Sequence, residues 1–308
     1  MRIRDLLGIL LLASCWGTTF LFIKVLVGYL PPLTMTMLRC GMAGLTLSVL
    51  CVIFRVDFRP LRQHWRDLLV VAFFGSALPM GLCASGELMV DSSTASIIEA
   101  TVPIFVLLLT YLSSHDARLG KWQYLSVVLG FLGILVIFGS DLGSLFAIDS
   151  RASNWGKLQI VMMACSFAVC FVYSKMHLTH LPPLFVICCQ LVLSTMILIP
   201  SSLVFEGSWK LAGLPYEFYF SLAGLALWGT VCGWLVYSWL IQRICATQVA
   251  LANYLGPVIA ISLGTLLLGE TLNSSQILGS IIILAAMALA SMPVETDETL
   301  ISVEQEAA

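Results

Sequence analysis

Apolar residues along the chain fall in runs of about the length a helix needs to cross a bilayer, roughly 20 residues. They lie near 5–27, 33–54, 67–89, 93–113 and 119–140, then near 155–177, 184–205, 217–241, 247–269 and 275–293. The pattern predicts an all-α integral membrane protein with ten transmembrane helices. Pro31-Pro32, Pro182-Pro183 and Pro215 stand at helix starts, where a missing N–H costs least. The hairpins after the third and eighth runs are very short. Arg2 and Arg4 before an apolar run imitate a signal peptide. That run continues past Trp16 to Val27 without a small-residue cleavage site, so it reads as the first spanning helix. Residues 294–308 carry Glu295, Asp297, Glu298, Glu304 and Glu306 with almost no apolar periodicity, which predicts a disordered acidic tail.

Composition agrees with the runs. Of 308 residues, 59% are hydrophobic and 10% charged, with mean hydropathy +0.99; soluble domains carry roughly 25% charged residues. Lipid is therefore the expected solvent. The cysteines lie inside or at the ends of apolar runs and form no CxxC pair, so they read as small hydrophobes. No metal and no cofactor is expected. Nothing suggests nucleic acid, and the absence of GxxxxGK[ST] argues against ATP hydrolysis within this chain.

Charge placement predicts orientation. Arg2, Arg4, Arg55, Arg59, Arg62, Arg66, Arg118, Lys121, Lys175 and Arg243 fall on one side of a ten-helix arrangement, and Lys24, Arg151, Lys157 and Lys210 on the other. Both termini are expected in the cytoplasm. The chain also repeats itself. An offset of 151 lays Phe20, Lys24, Leu30, Pro31, Pro32 and Leu33 on Phe171, Lys175, Leu181, Pro182, Pro183 and Leu184. An offset near 153–154 lays Gly75 on Gly229, Pro103 on Pro257, Leu119 on Leu272 and Gln123 on Gln276. The expected organisation is one five-helix repeat over 1–140, an external linker at 141–154, a second five-helix repeat over 155–293 and the tail. Five is odd, so the second copy must insert upside down, as in many secondary transporters whose sites lie between inverted repeats.

The segments WGTTFLFIK (16–24), PPLTMTMLR (31–39), ATVPIF (100–105) and LANYLGPVIA…LLLGETLNSSQILG (251–279) resemble the drug/metabolite transporter superfamily, and within it the EamA-type ten-helix family. The likeness runs from residue 5 to 293. It implies a basket of helices in a bacterial inner membrane. Its cavity would be lined by the first, third, fourth, sixth, eighth and ninth helices and would export amino acids or related small metabolites. The family's Glu after the fourth helix falls at Ala117, beside Asp116, whereas the second half keeps it as Glu270. Glu99 is a second departure, at a position such proteins keep apolar.

Charges within a bilayer are costly. The first half places Lys24, Arg39, Glu87 and Glu99 inside predicted spans, with Arg39 and Glu99 at similar depth. They read either as ion pairs fixing helix packing or as groups that meet substrate or protons. The repeat mates of Arg39 and Glu99 are Gln190 and Asn253, polar but uncharged. Trp16 and Thr19 share one face of the first helix, and Trp234 and Tyr237 share one of the eighth. Asn253 and Tyr254 precede Pro257, which frees a carbonyl one turn earlier, and Glu99 stands in the same relation to Pro103. These two turns are the expected site. The expected partners are a small-molecule substrate and the bilayer, and a homodimer is left open. The leading function is amino-acid export by alternating access. The alternatives are nucleoside-like or cationic drug-like cargo, or a scaffold that transports nothing. An intramembrane enzyme needs a His/Asp pair at membrane depth, and the histidines sit at helix ends or loops.

Overall fold

Each apolar run corresponds to a helix in the computed structural model, which describes residues 3–113, 120–138, 148–207, 213–244, 249, 251–290 and 292. In chain order these are α1 Ile3–Leu26, α2 Pro32–Ile53, α3 Leu61–Glu87, α4 Ser92–Ser113 and α5 Lys121–Phe138. There follow α6 Ile148–His177, α7 Pro183–Phe205, α8 Tyr216–Leu240, α9 Leu251–Leu267 and α10 Ser274–Ala290. No strand occurs among the described residues. Seven of the helices are long and apolar enough to cross a membrane, and α5, α9 and α10 are shorter apolar helices. Leu266 (81% exposed) and Val204 (76%) belong to a set of large apolar side chains on the outer surface. Water would penalise such a surface and lipid does not.

Sequence explains the boundaries. α2 and α7 start at Pro32 and Pro183, each preceded by an extended proline. One helix starts earlier than its apolar run. α6 begins at Ile148, inside the segment 141–154 expected to be an external linker. A hydropathy window stops where Asp149, Ser150 and Arg151 appear, but backbone hydrogen bonding continues past the edge of the apolar layer. Residues 141–147 and the tail at 294–308 lie outside the described residues.

Helices of the first half pack on helices of the second: α2 on α7, α5 on α10, α1 on α8 and α9, and α6 on α3 and α4. Lipid supplies no hydrophobic force between helices, so close approach through small residues does the joining. A methyl group added at Gly17 would lie 2.8 Å from the Gly256 carbonyl oxygen, and one at Gly44 would lie 3.2 Å from Val192.

Three helices are irregular. In α3 the turns widen to π-helix over Phe73–Ala77. Pro79 has no N–H to offer the Gly75 carbonyl, and Gln190 Nε2 donates to that oxygen instead at 3.1 Å. α8 has the same widening over Gly224–Cys232, around Gly229, the repeat mate of Gly75. α4 breaks at Ala100–Thr101, between Ser92–Glu99 and Val102–Ser113. The break directly precedes Val102-Pro103, and the Thr101 hydroxyl donates to the Ile98 carbonyl at 2.6 Å. α9 carries Pro257 without a break.

Candidate functional site

The broken helix α4 sets Glu99 at the last position of its first half. Glu99 is partly exposed and receives no hydrogen bond from the described residues. Asn253, one turn before Pro257, is likewise partly exposed and makes no side-chain hydrogen bond to them. The two proline turns face each other, for Ala100 and Pro257 line one cavity of about 20 Å³. An unpartnered carboxylate thus stands at a helix break, a feature that recurs at membrane sites.

Arg39, on α2, is buried, at 8% exposure. It forms no ion pair with Glu87 or Glu99. Its Nε donates to the Thr230 hydroxyl at 2.9 Å, and Thr230 in turn donates to the Leu225 carbonyl within the π-helical stretch, also at 2.9 Å. The terminal guanidinium nitrogens have no acceptor among the described residues. Glu99 and Glu87 still act on Arg39 through space. The expected network of contacts among Lys24, Arg39, Glu87 and Glu99 is therefore replaced by field effects and separate hydrogen bonds. Lys24 donates to the backbone carbonyls of Glu87 (2.7 Å) and Val90 (2.6 Å). Such carbonyls at a helix C-terminus lack intrahelical donors and carry partial negative charge. Glu87 is fully buried. Its Oε1 faces Cys83 Sγ at 3.6 Å, and its Oε2 has no partner.

Trp16, Trp234 and Tyr237, inferred separately from spacing, form one aromatic cluster. Ring centroids lie 6.2 Å apart for Trp16–Trp234, 5.7 Å for Trp16–Tyr237 and 5.6 Å for Trp234–Tyr237. Gly233 makes room for it, since an added methyl would lie 2.8 Å from Trp16 Nε1. Thr19 is buried, with its hydroxyl on the Cys15 carbonyl at 3.1 Å, and it presses against Gly229. Tyr254 packs against the large core cluster. Among the described residues no group of three or more His, Cys, Asp or Glu is placed to hold a metal. His64 does meet Asp67, with Nδ1 and Oδ2 at 3.4 Å, but at the polar start of α3.

Two carboxylates hold helix starts: Glu206, which sequence reasoning passed over, and Glu270, which it named without a role. Glu206 accepts from the Leu33 and Thr34 N–H groups at 2.8 and 2.7 Å. Glu270 accepts from the N–H and hydroxyl groups of both Ser92 and Ser93, at 2.5–3.0 Å, and Gly264 leaves it the space. The clamp fixes the N-terminal end of the half-helix that carries Glu99. Burial alone would raise the Glu270 carboxyl, but the hydrogen bonds from Ser93 and Ser92 outweigh it and hold the group below the usual carboxylate range. A depressed folded-state value means stability present above the unfolded value, about 4.3, and lost as pH falls through the folded one. Glu270→Gln should cost about 1 kcal/mol at pH 7, after discounting for partial exposure. In detergent melts its gap from wild type should close below about pH 4. An equal gap at both pH values would contradict a role for the charge.

Comparison with known proteins identifies the family. The EamA-like transporter family matches residues 4–139 and again 154–292. An uncharacterized transporter of Bacillus subtilis, YoaV, is 27% identical over 281 residues, covering 91% of this chain and 94% of its own. The uncharacterized inner membrane transporter YedA of Escherichia coli K12 is 28% identical over 301 residues, 95% and 93% of the two chains. A probable amino-acid metabolite efflux pump of Salmonella typhimurium is 26% identical over 289 residues, 90% and 91%. A solved structure titled only as a crystal structure of protein shares the fold, with TM-score 0.65 and 18% identity over 96% of this chain and 99% of that one. The chain belongs to the EamA-like transporter family, and it is an integral membrane transporter of a small molecule, not an enzyme.

Proposed function

We propose that the protein exports amino acids or closely related small zwitterions by alternating access, through ten transmembrane helices arranged as two inverted repeats. The observation that carries this reading is the accessible, unpartnered Glu99 at the break of α4, with Asn253 on the matching turn of α9. The terminal guanidinium nitrogens of Arg39 have no acceptor among the described residues. A zwitterion satisfies both charges at once. Glu99 takes the ammonium group, Arg39 the carboxylate and Asn253 either end, while the Trp16–Trp234–Tyr237 rings border the apolar part. The carboxylate–ammonium and guanidinium–carboxylate bonds are charge-assisted and replace water lost on binding.

The inverted repeat is supported by mirrored packing. The α1–α9 contact has its counterpart in α6–α4, and α1–α8 has its counterpart in α6–α3. α2–α7 and α5–α10 pair each element with its own mate. The family's double match supports the same division, and the name of the Salmonella relative, a probable amino-acid metabolite efflux pump, supports the cargo class. We also propose an inner-membrane location with both termini cytoplasmic. An impermeant thiol probe on a cysteine-free background should then label Ser144→Cys from outside and Gln63→Cys only after lysis. The reverse pattern would overturn the orientation.

A second reading, a nucleoside-like or cationic drug-like cargo, rests on Glu99 lacking a carboxylate mate in the second half. Counterflow in proteoliposomes decides between them. Amino acids should exchange, and nucleosides and cationic dyes should not. Exchange of the dyes alone would favour the second reading, and no exchange of any compound would leave a scaffold.

A further inference from the structure

Lys24 and Lys175 are repeat mates at an offset of 151, each in the last turn of the first helix of its half. Lys24 holds the turn between α3 and α4 through the carbonyls of Glu87 and Val90. At an offset of 154 that turn maps onto the one after α8, and the backbone repeats. Met89 and Val90 donate to the Gly86 carbonyl at 2.9 and 3.0 Å, and Arg243 and Ile244 donate to the Leu240 carbonyl at 2.8 and 3.0 Å. The receptor turn therefore exists at both ends of the molecule. The lysines differ. Lys24 is half-buried and engaged, whereas Lys175 is exposed and makes no hydrogen bond or ion pair with the described residues.

We propose that Lys24 and Lys175 are alternating latches, each closing one end by binding the helix-terminal carbonyls of the facing turn, and that this structure has the Lys24 end closed. In the other state Lys175 would donate to the carbonyls of Ile241 and Ile244, the mates of Glu87 and Val90. A lysine suits this task because an ammonium group offers three donors to carbonyls at a negative helix end. Its flexible stem lets it release one set of acceptors without refolding the backbone. The two latches sit on opposite arms of one equilibrium, so removing either tilts it the opposite way.

The latch rests on the alternating-access reading, and the test separates the two. Spin labels on Gly28→Cys with Leu88→Cys report the Lys24 end, and labels on Thr179→Cys with Gln242→Cys report the Lys175 end, in the full chain without its native cysteines. Hydrogen bonds to charged groups are strong enough to shift such a ratio about tenfold to a hundredfold. Lys24→Met should enrich the long distance at the first pair by that factor. Lys175→Met should enrich the long distance at the second pair, and the double variant should return towards wild type. Lys175 is exposed, so Lys175→Met folds on any reading and carries the test alone if Lys24→Met does not fold. Two wild-type populations that Lys175→Met leaves unmoved, or shifts in the same sense as Lys24→Met, overturn the latch alone. A single unvarying distribution in wild type and variants overturns alternating access and the latch with it.

Discussion

Glu99→Gln is expected to fold and insert normally yet lose at least tenfold in transport of zwitterionic cargo. The carboxylate receives no hydrogen bond from the described protein, so its charge contributes little to holding α4. A charge at membrane depth without a structural partner marks a functional group. Losing one charge-assisted bond to an ammonium group costs about 1.5–3 kcal/mol, or a factor of ten to a hundred. Amide substitution keeps the shape and removes that bond. Asn253→Leu should act in the same direction through the mirrored turn. The check is initial uptake into proteoliposomes matched for protein content, from pH 5.5 to 8. A wild-type rate with unchanged pH dependence would make Glu99 a packing residue.

Arg39→Gln should have the largest combined effect, on stability and on flux. Arg39 is the guanidinium among two buried or half-buried carboxylates, Glu87 and Glu99. Removing it takes away a positive charge that, beside Lys24, acts on Glu87, whose second oxygen is already unpartnered. Removing one member of a buried charged set costs about 3–5 kcal/mol. Adding Glu87→Gln should recover part of the loss, because the stranded charge goes with it. Thr230→Val, which removes only the acceptor of Arg39 Nε, should cost about 1 kcal/mol. Thermal melts in detergent give the stabilities, and counterflow should fall more than a hundredfold in Arg39→Gln. Additive losses in Arg39→Gln/Glu87→Gln would mean that the two groups do not feel each other.

Much of the fold was legible because the bilayer imposes a length rule and the chain is duplicated. Apolar runs located the helices, prolines located their starts, and the mates Gly75 and Gly229 mark the two π-helical stretches. Three-residue spacing placed Trp234 and Tyr237 on one face but did not show that Trp16 from another helix joins them. Bond partners were not legible either. Hydropathy reports the solvent a side chain meets, not the acceptor it finds, so Lys24 was expected among carboxylates and instead binds carbonyls. Thr230 lies far from Arg39 in sequence, and no pattern joins the two. Pro103 and Pro257 carry the same signal, yet α4 breaks and α9 does not. A proline removes a donor, and the neighbouring packing decides whether the helix bends or parts.

Cargo bound at Glu99 should shield its carboxyl group from chemical modification. Dicyclohexylcarbodiimide, an apolar carboxyl reagent, is applied to the wild-type protein in proteoliposomes, and adducts are located by peptide mass spectrometry. Glu99 is partly exposed and Glu87 fully buried, so the pair supplies its own control. The amino acid carried best in counterflow should slow modification of Glu99 at least tenfold while leaving Glu87 unchanged. Modification of Glu99 at the same rate with and without saturating cargo would contradict the account.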